Sequence, residues 1–414
     1  MNRHLIAILT ITITAAAMVT VASCQKTGST GSVTPQPGTG LRISAPFTSQ
    51  TTDFAFDMFN RVNTAEGRDK NVFVSPLSLH IALGMILNGA NGQTQQEIQR
   101  ALKLDAQTLA EANQTYQNLM ENLPGLDTRV TMGLANSVWY RSTFQVVPTF
   151  QEVLKITFKA KVSAENFGDP ATVGKINAWA SEQTKGRIPK VIDQIQPDNV
   201  LFLLNALYFK GDWQKPFDPK ATQDSPFALA SGQQTTVRMM RLNTVLRRAF
   251  RPTYTAVELP YGSDNYAMTA LLPAPTTNAD ALIQSLTASE WSQAQTAMVA
   301  GKVDLGLPKF TLNYEINLNN VLAGMGMPTA FTDRADFTKI NAGGEMLLSF
   351  VKQNTFVAVD EKGTEAAAVT TGAVSTVSIQ EPTLFDRPFV VVIHEKTSGV
   401  VLFMGKIAHP KAGV

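Results

Sequence analysis

The segment Asp360-Glu-Lys-Gly-Thr-Glu-Ala-Ala-Ala-Val-Thr-Thr-Gly-Ala-Val-Ser-Thr-Val-Ser-Ile-Gln380 follows a strand-like run and carries no charge from Ala366 to Gln380. It is rich in small and β-branched residues, and no proline occurs before Pro382, so its composition suits a β-sheet. Proteins usually remove exposed segments of this kind because they invite unwanted strand pairing. Two interpretations remain open: a flexible Ala/Thr/Ser linker, or a loop kept able to enter a sheet because insertion is its function.

The first residues of this segment and the sequence that follows it distinguish the two interpretations. Residues Glu361 to Ala368 resemble the hinge of inhibitory serpins, and Phe385 to Ile393 resemble the strand that follows their reactive loop. Further segments similar to this family occur in the expected order: Asn71 to Ser78, Ile176 to Ala180, Thr184 to Ile188, Asn205 to Trp213 and Leu307 to Phe310. The resemblance implies an α+β serpin fold with three β-sheets, about eight or nine helices and an exposed reactive-centre loop.

Local patterns predict several elements of this fold. Apolar spacing at Phe54, Met58, Phe59 and Val62 predicts a first helix. Helix starts are expected at Ser75-Pro76, an N-cap followed by proline, and at Thr94-Gln-Gln-Glu97, a capping box. The remaining patterns predict strands: a half-buried strand over Val130 to Tyr140, a central strand over Val200 to Phe209, and a hairpin formed by Phe389 to His394 and Val400 to Met404.

The amino terminus has the pattern of a sorting signal. Arg3 supplies positive charge, Leu5 to Val21 is largely apolar, and Val21-Ala-Ser-Cys24 resembles a bacterial lipobox, in which the cysteine is lipidated after cleavage. We therefore expect a signal peptide over 1–23, a lipid anchor at Cys24, a Ser/Thr/Gly/Pro tether over 24–47 and a serpin domain over 48–414. An uncleaved membrane anchor remains the alternative, since the apolar run approaches the length that spans a bilayer.

These features predict an extracytoplasmic protein, either lipid-anchored to a bacterial membrane on its periplasmic or cell-surface face, or secreted. Cys24 is the single cysteine of the chain, so no disulfide can form within the chain.

Composition and motifs argue against several functional classes. The 35 Lys and Arg residues balance 33 Asp and Glu residues and are interspersed with them, so no nucleic-acid partner is expected. The four histidines show no metal-ligand spacing, and the sequence contains no Gly-x-Ser-x-Gly elbow and no glycine-rich phosphate loop. We therefore expect neither an enzyme nor a metal or cofactor. Gln107 to Leu126 contains no Lys or Arg, so heparin binding is not expected.

The resemblance also implies three groups of functional residues. The hinge comprises Glu361, Gly363, Thr364, Ala366, Ala368 and Thr370, the last four of which would face the sheet interior after insertion. The shutter, where the main sheet opens, comprises Ser75, Ser78, Asn205 and Gln353. The breach, where the loop enters the sheet, comprises Trp213, Lys309 and Glu361. Gln353 stands where most family members have histidine, so no pH sensitivity is expected from that position.

The family's usual spacings from Gly363 and from Phe385 both place the reactive-site bond at Val377-Ser378, with Thr376 as the alternative cut. A small β-branched side chain suits a shallow apolar pocket, which predicts elastase-like serine proteases as targets. The expected function is suicide inhibition by a monomer that forms a covalent acyl complex with the protease. Two alternatives remain: a non-inhibitory serpin-fold binding protein and a tethered surface interaction module.

Overall fold

Nine α-helices and fifteen β-strands form within residues 41, 43–344, 346–364 and 381–412, which are the residues that the computed structural model describes. The helices are α1 (Ala45–Glu66), α2 (Pro76–Gly89), α3 (Gly92–Ala101), α4 (Leu109–Asn122), α5 (Pro148–Thr157), α6 (Ala171–Gln183), α7 (Ala279–Ser285), α8 (Ala288–Thr296) and α9 (Asn319–Gly324). Two short 3-10 helices span Pro219–Ala221 and Pro328–Phe331.

The first eight strands are β1 (Val72–Val74), β2 (Val130–Arg141), β3 (Lys161–Glu165), β4 (Leu201–Asp212), β5 (Gln223–Ala228), β6 (Gln234–Phe250), β7 (Tyr254–Tyr261) and β8 (Tyr266–Pro273). The other seven are β9 (Val299–Pro308), β10 (Phe310–Asn317), β11 (Lys352–Val359), β12 (Gly363–Thr364), β13 (Thr383–Leu384), β14 (Phe389–Glu395) and β15 (Val401–Ile407). The predicted α+β class is confirmed, and so are the strands predicted over 130–140 and 200–209 and the carboxyl-terminal hairpin, which is β14 and β15.

Helix α1 forms where its apolar spacing predicted it and buries all four residues of the pattern. It begins at Ala45 behind Ser44, whose hydroxyl accepts a hydrogen bond from the Phe47 amide at 3.4 Å. The Phe47 side chain is fully buried. The folded domain therefore includes Ala45 to Phe47, which lie within the range 24–47 predicted as the tether.

One predicted helix start is correct and the other is wrong. Ser75 caps α2, with Pro76 in its first turn. Helix α3, however, begins behind Asn91, and the predicted capping-box residues lie inside it. The Thr94 hydroxyl accepts from the Asp336 amide at 2.9 Å, and the Glu97 carboxylate accepts from the Thr329 amide at 2.9 Å. A Thr-x-x-Glu pattern on a helix can thus serve a neighbouring segment instead of its own amino terminus.

The smaller sheet has six strands in the order β10-β11-β12-β4-β2-β3. All neighbours are antiparallel except β2 and β3. Strand β4 is internal, as predicted, and Asn205 on it lies directly opposite Asn136 of β2. Two amides therefore face each other inside a largely apolar sheet.

The larger sheet has nine strands, with the order β1-β15-β14-β8-β7-β6-β9-β13 and β5 paired to β6. The resemblance implied three sheets, whereas the described residues form two hydrogen-bonded sheets. The reason is strand β6, which runs unbroken for 17 residues and joins what would otherwise be two sheets into one ladder.

Helix α2 contacts both sheets, through β4 and β15. Only Ala82 and Asn88 are partly exposed along it, because both of its sides lie against apolar side chains. This burial fixes the amino terminus of α2, and Ser75 with it, beneath the six-stranded sheet. Among the described helices, none combines the length and the apolar character required to cross a membrane.

Candidate strand-insertion site

Strand β12 occupies the upper end of a space between β4 and β11. Gly363 and Thr364 pair with Asp212 and Gly211 of β4, and Thr364 also pairs with Val359 of β11. The chain reverses after β11 through a turn held by Asp360, whose side chain accepts hydrogen bonds from the amides of Lys362 at 2.9 Å and Gly363 at 3.3 Å. The start of the hinge is therefore already a short strand of the sheet.

Only glycine fits at position 363. A Cβ atom there would lie 2.1 Å from the Gly211 carbonyl oxygen and 2.7 Å from the Asp212 Cα, and neither backbone atom can move aside without shifting β4. The requirement arises from close packing between strands. Gly363 thus permits the chain to enter the sheet at this point.

Thr364 points into the protein interior and is 3% exposed. Its hydroxyl shares a hydrogen bond of 2.6 Å with the Tyr261 hydroxyl. Burial raises the pKa of Tyr261 and outweighs the opposite effect of this hydrogen bond, so the phenol stays neutral. Trp213 stacks on the Tyr261 ring with centroids 4.4 Å apart, and its indole nitrogen donates to the Asp360 carbonyl at 2.9 Å.

Lys309 and Glu361 meet beside this turn, as the resemblance implied. The Lys309 ammonium lies 2.8 Å from the Glu361 carboxylate, which also accepts a hydrogen bond from the Thr222 hydroxyl at 2.8 Å. Burial alone would raise the pKa of Glu361, but the hydrogen bonds from Lys309 and Thr222 outweigh it and hold that pKa below its ordinary value. The carboxylate is therefore charged and bonded on both of its oxygens.

Gln353 connects β11 to the start of α2. Its side-chain oxygen accepts from the Ser75 amide at 2.9 Å, and its side-chain nitrogen donates to the Ser75 carbonyl at 2.8 Å. The Ser75 hydroxyl donates to the Leu402 carbonyl at 2.8 Å, which adds strand β15 to the connection. One amide thus satisfies both backbone groups of a residue that is 1% exposed.

A second chain of hydrogen bonds crosses the sheet from the same helix. The Ser78 hydroxyl donates to the Asn205 side-chain oxygen, and Asn205 donates to the Asn136 side-chain oxygen at 2.7 Å. Asn136 in turn donates to the Phe158 carbonyl at 2.7 Å. The Ser75 hydroxyl accepts from the Ser78 amide at 3.2 Å, so the two chains share the first turn of α2.

A cavity of about 530 Å³ lies between β4 and β11, next to these hydrogen bonds. It is lined by Leu201 to Leu207 of β4 and by Lys352 to Thr355 of β11, with Phe350 and Val351 just before β11. Ser75 and Ser78 line it from α2, and Trp179 lines it from α6. Within the described part of the chain, β4 and β11 have no direct ladder pair, and only β12 joins them. The arrangement can admit a further strand by extending β12.

The structure gathers the described candidate residues into two clusters. Trp213, Lys309, Glu361, Gly363 and Thr364 surround the turn at the top of the sheet, and Ser75, Ser78, Asn205 and Gln353 surround the cavity. The other candidates lie outside the described residues: Cys24, Ala366, Ala368, Thr370, Val377 and Ser378. The roles carried over from the resemblance remain predictions.

Three participants were not predicted from the sequence: Tyr261, Thr222 and Asn136. Asn136 left a signal, because it interrupts the apolar alternation of β2. Tyr261 and Thr222 left none, because each contacts a residue more than a hundred positions away. No group of three His, Cys, Asp or Glu side chains suited to a metal ion occurs among the residues described.

Comparison with known proteins agrees with this arrangement. The family model "Serpin (serine protease inhibitor)" matches residues 49–410. The leukocyte elastase inhibitor of Xenopus tropicalis is 34% identical over 374 residues, which cover 87% of this chain and 99% of that protein. The leukocyte elastase inhibitor of Sus scrofa is 32% identical, covering 87% of this chain and 98% of that protein.

Solved structures show the same fold. A thermophilic serpin, tengpin, in the native state has a TM-score of 0.82 and 27% identity, covering 91% of this chain and 97% of that one. Human thyroxine-binding globulin has a TM-score of 0.81 and 27% identity, covering 88% of this chain and 98% of that one. The matched segment contains all the described residues of both clusters, and the chain therefore belongs to the serpin family.

Proposed function

We propose that this protein is a suicide-type inhibitor of serine proteases with elastase-like specificity. The protease serine would attack the Val377 carbonyl, release the amine of Ser378 and remain esterified to the loop. The cleaved loop would then extend β12 between β4 and β11 and carry the protease away before water hydrolyses the ester. The protein is not an enzyme in this scheme and requires no cofactor.

The observation that carries the proposal is the position of β12. Its two residues already pair with β4 and β11, and beyond them the two strands line a cavity without pairing to each other in the described structure. Insertion therefore continues an existing strand instead of opening a complete sheet. The similarity to leukocyte elastase inhibitors supports the elastase-like specificity.

The test is incubation of the protein with a panel of serine proteases, followed by denaturing electrophoresis and mass spectrometry. We expect a covalent adduct with elastase-like enzymes and a released fragment that begins at Ser378. Val377→Arg should shift the adduct to trypsin-like enzymes. A fragment that begins more than two residues away would refute the assigned bond.

Thr364→Arg tests the insertion step. Thr364 is already buried beside Tyr261 in the intact protein, so arginine there should expel β12 from the sheet. The cleaved loop could then insert only by burying an unpaired charge, which costs several kcal/mol. Insertion should then become slower than hydrolysis, and the variant should be cleaved as a substrate. Unchanged trapping by this variant would contradict the insertion path.

A second candidate function is that of a non-inhibitory binding protein. It is favoured by the similarity to thyroxine-binding globulin, whose structure was solved in complex with thyroxine. The two functions differ in their response to cleavage. Cleavage within 370–380 should raise the thermal midpoint sharply if the loop inserts, because a new internal strand adds a ladder of hydrogen bonds. An unchanged midpoint would favour the binding protein.

The same proposal includes attachment to a bacterial membrane through lipidated Cys24, on the periplasmic or cell-surface face, with the inhibitor acting as a monomer. Lipid attachment should make the mature protein partition into detergent and incorporate labelled fatty acid. Cys24→Ala should abolish the labelling, because Cys24 is the single thiol of the sequence. Labelling of the Cys24→Ala variant would contradict the anchor. We expect no heparin dependence, because α4 contains no Lys or Arg.

A further inference from the structure

Two large apolar side chains are exposed on neighbouring strands of the nine-stranded sheet. Phe250, at the end of β6, and Val299, at the start of β9, are each 71% exposed. Arg248 is the register partner of Val299, and its guanidinium lies over the Phe250 ring at 4.5 Å from the centroid. We refer to Arg248, Phe250 and Val299 as the β6 patch.

The β6 patch lies beside the point where the loop rejoins the sheet. Arg248 donates a hydrogen bond to the Thr383 hydroxyl at 3.3 Å. Thr383 begins β13 and pairs with Leu305 of β9. The predicted Val377-Ser378 bond is joined to Thr383 by a chain of at most about 20 Å in length. A bound protease covers about 800 Å² of its partner, so this patch is within reach of a protease at that bond.

The charge of Arg248 is available to a partner. Its neighbours Arg247 and Arg251 form ion pairs with Glu258 at 3.1 Å and Glu290 at 2.8 Å. Arg248, by contrast, has no carboxylate partner within the described ranges, and its contacts are a hydroxyl group and an aromatic ring. A half-buried arginine stacked on an exposed phenylalanine combines arginine with an aromatic ring, two kinds of residue that are enriched at protein interfaces.

We infer that the β6 patch is a second docking surface for the target protease. It fits a protease that carries an acidic group flanked by apolar side chains. On that protease, the acidic group would lie beside the part of the cleft that binds the inhibitor residues after the cleaved bond. The surface would select among proteases that share an elastase-like pocket. This inference rests on the proposed function, and it assigns the patch to the encounter step before loop insertion.

The experiment measures the association rate constant and the inhibition stoichiometry with the protease that forms the adduct. We expect the double variant Phe250→Ser, Val299→Ser to associate about tenfold more slowly, with unchanged stoichiometry because the loop is unaltered. Arg248→Ala should slow association and weaken its dependence on salt. Ile156→Ser is the matched control, because Ile156 is 52% exposed but lies on α5, among contacts with α2, α4 and β3.

Thr383→Val separates docking from loop anchoring. It removes the hydroxyl that Arg248 contacts and leaves the patch in place. If Arg248 acts by docking, Thr383→Val should associate at the wild-type rate. If Thr383→Val instead reproduces the Arg248→Ala defect with a raised stoichiometry, Arg248 anchors the loop and the inference is wrong.

Other results would also overturn the inference. A double variant that associates as fast as Ile156→Ser would exclude a docking role. A wild-type dimer that the double variant loses on gel filtration would show that a second copy of the chain occupies the patch. If the wild-type protein forms no covalent adduct with any protease, the proposed function fails, and this inference fails with it. An adduct with wild-type protein but no effect of the double variant removes the inference alone.

Discussion

Replacing Gln353 with methionine should weaken the connection between β11 and α2. Methionine preserves the length of the side chain and removes both of its hydrogen-bonding groups. The Ser75 amide would then lose its partner at a position that is 1% exposed, whereas the Ser75 carbonyl would keep its hydrogen bond from the Leu79 amide at 3.2 Å. An orphaned buried amide costs about 1–3 kcal/mol. Water that enters the adjoining cavity would bring the loss toward the lower limit.

Asn354→Met provides the matched control on the same strand. Asn354 is adjacent to Gln353 but its side chain makes an exposed hydrogen bond, to Glu315 at 2.7 Å. Surface changes of this kind usually alter stability by less than about 0.5 kcal/mol. The two variants thus exchange the same functional group on neighbouring residues and differ in burial.

The assay is denaturant and thermal unfolding of the intact protein at pH 7, with far-ultraviolet circular dichroism to verify the fold. A loss of about 1–3 kcal/mol should appear as a decrease in both midpoints for Gln353→Met. The reasoning is refuted if Gln353→Met and Asn354→Met unfold at the same midpoint, because the Ser75 backbone would then not depend on this amide.

Further predictions concern the hinge, pH and the ion pair. Gly363→Ala should expel β12 from the sheet, because its Cβ would lie 2.1 Å from a backbone oxygen of β4. Limited proteolysis should then show increased cleavage at the hinge. The control Gly301→Ala, which has open space around its Cβ, should leave that cleavage unchanged. Burial lowers the pKa of His80 and of His394 to about 4, against an ordinary value of 6.5, despite the Leu102 carbonyl near His80 and the Glu258 carboxylate near His394. Below pH 6.5 the unfolded chain therefore binds more protons than the folded protein. The unfolding free energy should fall as pH decreases from 6.5 to 4, by about 3 kcal/mol for each histidine. A denaturation midpoint that does not change between pH 7 and pH 4 would contradict this. Lys309→Met should lower the unfolding free energy by about 1–3 kcal/mol, measured against wild type in urea, since it leaves the buried Glu361 carboxylate without its cation. An unchanged midpoint would contradict the role of the pair.

Local chemistry allowed the sequence to predict many elements of the fold. The N-cap at Ser75 and the apolar spacing of α1 depend on residues within a few positions of each other, and both are confirmed. The capping box at Thr94 was wrong because both of its side chains bond to a segment more than 200 positions away. A short pattern cannot show whether its polar groups bond locally or across the fold.

The candidate site was predictable only as far as the family resemblance extended. The resemblance named Lys309 and Glu361, and the structure places them 2.8 Å apart. It did not name Tyr261, which orients Thr364 through a hydrogen bond and Trp213 through stacking. Tyrosines are common at the ends of strands, so this residue acquires its role from the way the two sheets meet. That geometry is a property of tertiary packing, which neither periodicity nor motif spacing contains.

The cavity between β4 and β11 also restricts how this protein can evolve. In most proteins, substitutions that fill a void of about 530 Å³ would be accepted readily, because they increase stability with little effect on function. Under the proposed function, a larger side chain at Leu203 or Ala206 would occupy the space that the incoming strand requires. Lineages that adapt to heat should therefore acquire stabilising changes at helix caps and on the surface, and the lining of this cavity should change more slowly than the rest of the core.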